Sequence, residues 1–133
     1  MKIVGVLGRD LRIVDGVTED KIPQLKDKFD FLWLDIERLD SKEYKIAQEV
    51  FGFQAPEEGS YPIAITSEFY DTVVLNYYDN LYRRDFIVYY SKSFLITVHQ
   101  GPSSAVEEAM ASLNEMLVMG NLNSETILYQ LVY

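Results

Sequence analysis

Apolar positions fall first into short runs and later into helical spacing. Residues 2–7 (KIVGVL) and 11–15 (LRIVD) are β-branched-rich runs on either side of Gly8-Arg9-Asp10, which predicts a hairpin. Asp15-Gly16 breaks that pattern. Residues 19–28 are charged, with Pro23 near their start where a helix tolerates it, and predict a short helix. Phe31-Leu32-Trp33-Leu34-Asp35-Ile36 is almost continuously apolar, the mark of a strand covered on both faces. Asp40 with Glu43 makes a capping-box-like start. Tyr44, Ala47, Val50 and Phe51 then recur at helical spacing, with Gly52 as the C′ residue.

Residues 54–61 (QAPEEGSY) read as a loop. Strands are predicted at 62–66, 69–78, 84–91 and 94–99, the last two joined tightly through Ser91-Lys92-Ser93. Ser104 and Glu107 form a second capping box. The helix it opens carries Val106, Ala109, Met110, Leu113, Met116 and Leu117 and ends before Gly120. A last helix starts at Asn123 or Ser124 and shows Ile127, Leu128, Leu131 and Val132. The order β-β-(α)-β-α-β-β-β-β-α-α predicts an α+β fold, an α/β sandwich. Adjacent hairpins make its sheet mostly antiparallel, the early β-α-β portion allows some parallel pairing, and helices pack on the sheet.

Composition narrows the function classes. The 133 residues make one domain, and 48% apolar residues with 14% aromatics suit a packed core. The absence of Cys removes disulfides, thiolate metal sites and thiol nucleophiles, and the single His removes any multi-histidine metal site within the chain. The formal net charge of −9 opposes binding to nucleic acid and to anionic membrane surfaces, and it suits the attraction of cations. No run approaches the roughly 20 apolar residues that span a bilayer, and the N-terminal apolar stretch is too short for a secretory core. A soluble, intracellular chain is expected.

Charge is also unevenly placed. Lys92 is the last Lys or Arg, so residues 93–133 hold Glu107, Glu108, Glu115 and Glu125 with no Lys or Arg against them. The closing residues Ile-Leu-Tyr-Gln-Leu-Val-Tyr keep an apolar helical spacing with no stop signal. Two readings follow: a helix docked on the core, or a fragment whose helix continued.

Catalytic chemistry has little to work with. No G-x-S-x-G, P-loop, G-x-G-x-x-G or H-E-x-x-H motif occurs, and Gly5-Val6-Leu7-Gly8 is a strand and turn. His99 is expected as a strand-end or surface imidazole. Carboxylates are abundant: Asp35, Glu37 and Asp40 along and after the buried strand, Glu57 and Glu58 in the 54–61 loop, Glu68 and Asp71 at a strand start, Glu107 and Glu108 at a helix start. Glu107 and Glu108 suit a helix N-terminus. Hard divalent cations need several oxygen ligands, so adjacent Glu57 and Glu58 would serve best when repeated around a symmetric oligomer or facing another subunit. Tyr77, Tyr78, Tyr82, Tyr89 and Tyr90 alternate faces on strands and are expected to cover a sheet. An enzyme would need a deep pocket around Asp35 or Glu37. We expect none.

Several stretches, taken in order, resemble the N-terminal cytoplasmic domain of the CorA family of magnesium and divalent-cation transporters. FLWLDI at 31–36 resembles the family's W-I/L-D strand, and Val50-Phe51-Gly52-Phe53 its FG segment after the next helix. Glu68 to Leu75 (EFYDTVVL) resembles a strand opening with Glu and an aromatic residue, and FIVYYSKSFLITVH at 86–99 resembles the F-L-(I/V)-T-V-H hairpin. ETILYQLVY at 125–133 resembles the start of the long stalk helix. The loop after the FG segment departs from the family, being shorter and altered at 54–62 (QAPEEGSYP). The membrane helices and the Gly-Met-Asn pore signature are absent.

The resemblance implies a single CorA soluble-domain-like domain over 1–133, truncated at the start of the stalk helix near 123–133. It implies a non-enzymatic regulatory role at the cytoplasmic face of the membrane, gating a pore in response to Mg²⁺ or another divalent cation. Glu57 and Glu58 would bind that regulatory cation between subunits. The partners implied are a homo-oligomer, pentameric in the parent transporter, and divalent cations. No nucleic acid is expected, and a membrane only through C-terminal helices missing here. The alternative is a stand-alone soluble interaction or sensor module with the same fold and no membrane part.

Overall fold

The computed structural model describes residues 1–54, 63–66, 71–79 and 82–132, with side chains described except at 63–66, 71–79, 82–85 and 132. Among the described residues seven strands form one sheet: β1 (Lys2–Leu7), β2 (Asp10–Val14), β3 (Phe31–Ile36), β4 (Ile63–Thr66), β5 (Asp71–Asp79), β6 (Tyr82–Tyr90) and β7 (Phe94–His99). Their spatial order is β2-β1-β3-β7-β6-β5-β4. All neighbours are antiparallel except β3 and β7, which run parallel with Asp35 opposite Thr97. The expected mixed, mostly antiparallel sheet is thus observed. The early strands β1 and β3 are antiparallel, however, and the parallel pairing joins β3 to the distant β7.

Among the described residues five α-helices flank the sheet: α1 (Ile22–Leu25), α2 (Lys42–Phe51), α3 (Ser104–Ala111), α4 (Leu113–Met119) and α5 (Ser124–Val132). The short helix predicted over 19–28 is a 3-10 turn at Glu19–Lys21 running into the single turn of α1, with Pro23 in its first positions. On one face of the sheet Ile22, Leu25, Tyr44 and Ala47 pack against Leu32, Leu34, Ile36, Ile87, Tyr89, Ile96 and Val98. On the other, Val106, Ala109, Met110, Leu113, Met116 and Ile127 pack against Val4, Val6, Phe31, Trp33, Phe86, Val88 and Leu95. Successive strand residues point to opposite faces, so a strand between two helix layers must be apolar at nearly every position. β3 is that strand, with all six residues buried.

The helix starts differ from the predicted boxes by one residue. Ser41 caps α2, its hydroxyl accepting from the Tyr44 amide, while Asp40 faces Arg38 in solvent. Ser103 caps α3 by accepting from Val106. Gly52 ends α2 in the left-handed conformation, as expected. The single helix predicted from 104 is broken into α3 and α4 at Ser112, whose hydroxyl donates back to the Glu108 carbonyl at 3.2 Å. Such back-bonding competes with the helix ladder and bends it. α5 is docked at its start: the Ser124 hydroxyl donates to the Ser91 and Phe94 carbonyls at 2.6 and 3.0 Å, and Ile127 is buried.

Candidate functional site

The most organised polar chemistry among the described residues lies in the core, at the carboxyl ends of the parallel pair. Trp33, Asp35, Thr97 and His99 alternate along β3 and β7 onto the α3–α5 face of the sheet. Their exposures are 0%, 2%, 0% and 1%. The Trp33 Nε1–H donates to Thr97 Oγ1 at 3.0 Å. Thr97 Oγ1 lies 2.6 Å from Asp35 Oδ1, and His99 Nε2 lies 2.7 Å from the same oxygen. His99 Nδ1 lies 2.7 Å from the Gly101 carbonyl oxygen. The His99 ring also stacks on Phe86 of β6, centroids 5.3 Å apart and planes within 6°.

The inventory of donors and acceptors fixes where the hydrogens sit. An indole nitrogen can only donate, so Thr97 accepts from Trp33 and gives its own hydrogen to Asp35. The Gly101 carbonyl can only accept, so Nδ1 carries a hydrogen. Asp35 Oδ1 accepts from Thr97 and also faces Nε2, which places a hydrogen there too. When Asp35 is the carboxylate, that hydrogen is carried on Nε2 and the ring donates from both nitrogens as an imidazolium; the pair is an ion pair in that protonation state. Burial is the largest single influence on the His99 pKa and acts to lower it. The hydrogen bond and charge of Asp35, the Gly101 carbonyl and the charge of Glu37 together outweigh burial and raise it above 6.5.

This arrangement corrects the expectation of a surface imidazole: His99 is at a strand end but sealed. Asp35 is enclosed by packed protein, while Glu37 borders an open cleft of about 310 Å³ at the start of α2, with Lys2, Asp15, Arg38 and Glu43. That cleft mixes cations with carboxylates. Among the described residues no group of three His, Asp or Glu side chains is placed to hold a metal ion.

Glu57, Glu58 and Glu68 lie outside the described residues, and Asp71 is placed by backbone only, opposite Tyr90 on β6. Glu107, Glu115 and Glu125 occupy the first turns of α3, α4 and α5, where a negative charge meets the positive end of the helix dipole. Tyr89 is buried, its hydroxyl 2.6 Å from that of Tyr44 and donating to the Gln54 carbonyl at 3.0 Å. It covers the sheet, as expected. The side chains of Tyr77, Tyr78 and Tyr82 are not described. The polar network was missed in the sequence, although an Asp inside an otherwise apolar strand is a signal that a buried partner is required.

No protein-family model matches the sequence, and no curated protein matches it. Solved structures do. The ZntB cytoplasmic domain from Vibrio parahaemolyticus RIMD 2210633 matches 99% of this chain with 55% of its own length, at a TM-score of 0.61 and 13% identity. Full-length CmaX matches 98% of this chain with 43% of its own, at 0.58 and 17%. The soluble domain of CorA from Methanocaldococcus jannaschii matches 98% with 54%, at 0.57 and 14%. The chain has a fold similar to the CorA soluble domain, and it spans about half the length of the structures it matches. Among the described residues no helix is long and apolar enough to cross a membrane.

Proposed function

We propose that this chain is the cytosolic regulatory domain of a CorA-like divalent-cation transporter rather than an enzyme. The observation that carries the reading is the likeness in fold of nearly the whole chain to the ZntB cytoplasmic domain and the CorA soluble domain. The order of sequence stretches that resemble the family supports it independently. In this reading the chain assembles as a homo-oligomer, a pentamer, at the cytoplasmic face of the membrane, and membrane helices follow in the parent protein. A charge of −9 per copy makes neighbouring copies repel. Mg²⁺ or another divalent cation held between subunits at Glu57 and Glu58 lowers that repulsion and favours the compact, closed arrangement. A cation can shift such an equilibrium only by its differential affinity for the two arrangements.

The test is Mg²⁺ titration calorimetry on the oligomer of the full reading frame, with Glu57→Gln/Glu58→Gln alongside. Saturable Mg²⁺ binding that the double substitution abolishes is expected. An intact oligomer that binds no Mg²⁺ overturns the gating mechanism. A reading frame that stops at Tyr133 overturns the transporter assignment and favours the stand-alone module.

A further inference from the structure

The exits of β3 and β7 are tied together around His99. Beyond the ring, the Gly101 amide donates to the Glu37 carbonyl at 2.9 Å, and the Leu39 amide donates to Gln100 Oε1 at 3.4 Å. Gly101 holds a φ of +75°, a conformation that favours glycine. Two residues later Ser103 caps α3. The loops entering α2 and α3 therefore meet at Gly101, whose amide donates to the Glu37 carbonyl and whose own carbonyl is held by one ring nitrogen.

We propose that His99 is a proton-controlled latch. Doubly protonated, it ties Asp35 of β3 to the Gly101 carbonyl; with one proton lost, it releases the Gly101 loop that leads into α3.

The direction of release follows from the two acceptors. A neutral ring has one N–H for two partners. Asp35 is a buried carboxylate, and a hydrogen bond to a charged acceptor is about twice as strong as one to a neutral carbonyl. The remaining hydrogen therefore stays on Nε2, facing Asp35. The Nδ1 lone pair then faces the Gly101 oxygen at what is now a repulsive 2.7 Å. Among the described residues the charged groups acting on the ring are Asp35 on β3 and Glu37 just beyond it, both negative, while Phe86 on β6 is neutral. These carboxylates favour the closed form. Because the folded-state value is raised above 6.5, the latch contributes its full stabilisation below that pH. The contribution is lost as pH climbs through the folded value. The latch is closed under mildly acidic conditions and opens toward alkaline ones.

His99 is the chain's single histidine, so its imidazole nitrogens can be followed without ambiguity by ¹⁵N NMR on the full chain. Below the titration midpoint both nitrogens are expected to be protonated, and that midpoint is expected above 6.5. Past the midpoint we expect the Nε2–H form, and a loss of amide-exchange protection at Gly101 of about tenfold, with Ile96 at the centre of the seam unchanged. Asp35→Asn, which keeps the shape and removes the charge, is expected to drop the midpoint below 6.5. Should that variant not fold, the wild-type titration decides alone. A midpoint at or below 6.5, or Gly101 protection unchanged through deprotonation, overturns the latch. A ring that stays doubly protonated until the chain unfolds makes the pair a permanent brace and overturns it equally.

Discussion

Thr97→Val cuts the buried relay at its middle while leaving shape, volume and strand propensity nearly constant. Thr97 has 0% exposure and makes two polar contacts, one accepting from Trp33 and one donating to Asp35. The substitution leaves the indole N–H without an acceptor, at a cost of about 1–3 kcal/mol. It also removes a hydrogen bond to a carboxylate, worth about 1.5–3 kcal/mol. The added methyl returns about 1 kcal/mol through burial. A net loss of about 3 kcal/mol remains, a large share of the roughly 5–15 kcal/mol that holds a domain folded. Urea unfolding at neutral pH should show it as a midpoint lowered by roughly 1.5 M at unchanged slope. Trp33→Phe supplies the internal check, because with no indole N–H to strand, Thr97→Val should cost about 1–2 kcal/mol less. A Thr97→Val protein within about 0.5 kcal/mol of the wild type, or costs that simply add, would refute the relay.

Two further outcomes test other parts of the frame. Ser124→Ala removes a hydroxyl that serves two carbonyls of the β6–β7 turn, and should cost about 1–2 kcal/mol. Amide exchange should quicken across α5 first, with the β6–β7 ladder little changed. A Cβ at Gly5 would lie 2.6 Å from the Phe29 ring, so Gly5→Ala must displace that ring from the core it packs against, costing about 1–3 kcal/mol in thermal unfolding. In a Phe29→Ala background the same change should cost almost nothing further.

The elements were legible in the sequence wherever the pattern is dictated by local burial. The continuous run at 31–36 is a strand because both of its faces meet helices, and a run of that kind has few other homes. The turn at Ser91-Lys92-Ser93 and the stop at Gly52 are local chemistry, and both lie where the pattern puts them. The capping residues slipped by one because Asp40 and Ser41, or Ser103 and Ser104, are chemically equivalent caps until the chain's path selects between them. The break at Ser112 was hidden because the apolar spacing runs through it undisturbed. The Asp35–His99 pair was illegible for a different reason. Its members are 64 residues apart, and only the parallel register of β3 with β7 brings them to one spot. The metal candidates Glu57 and Glu58 stand on chemistry and family resemblance alone.

The parallel seam also has a consequence for how the molecule comes into being. Asp35 and Thr97 are 62 residues apart in the chain, yet they are direct neighbours in the centre of the sheet. Everything from α2 through β6 is an excursion that leaves one strand and returns to the slot beside it. Closing a loop of that length costs about 4 kcal/mol in chain entropy before any neighbouring contact repays it. Hairpins such as β1–β2 and β6–β7 carry no such cost, so they can assemble early and the join between them late. The middle of the finished protein is then the last place to be built.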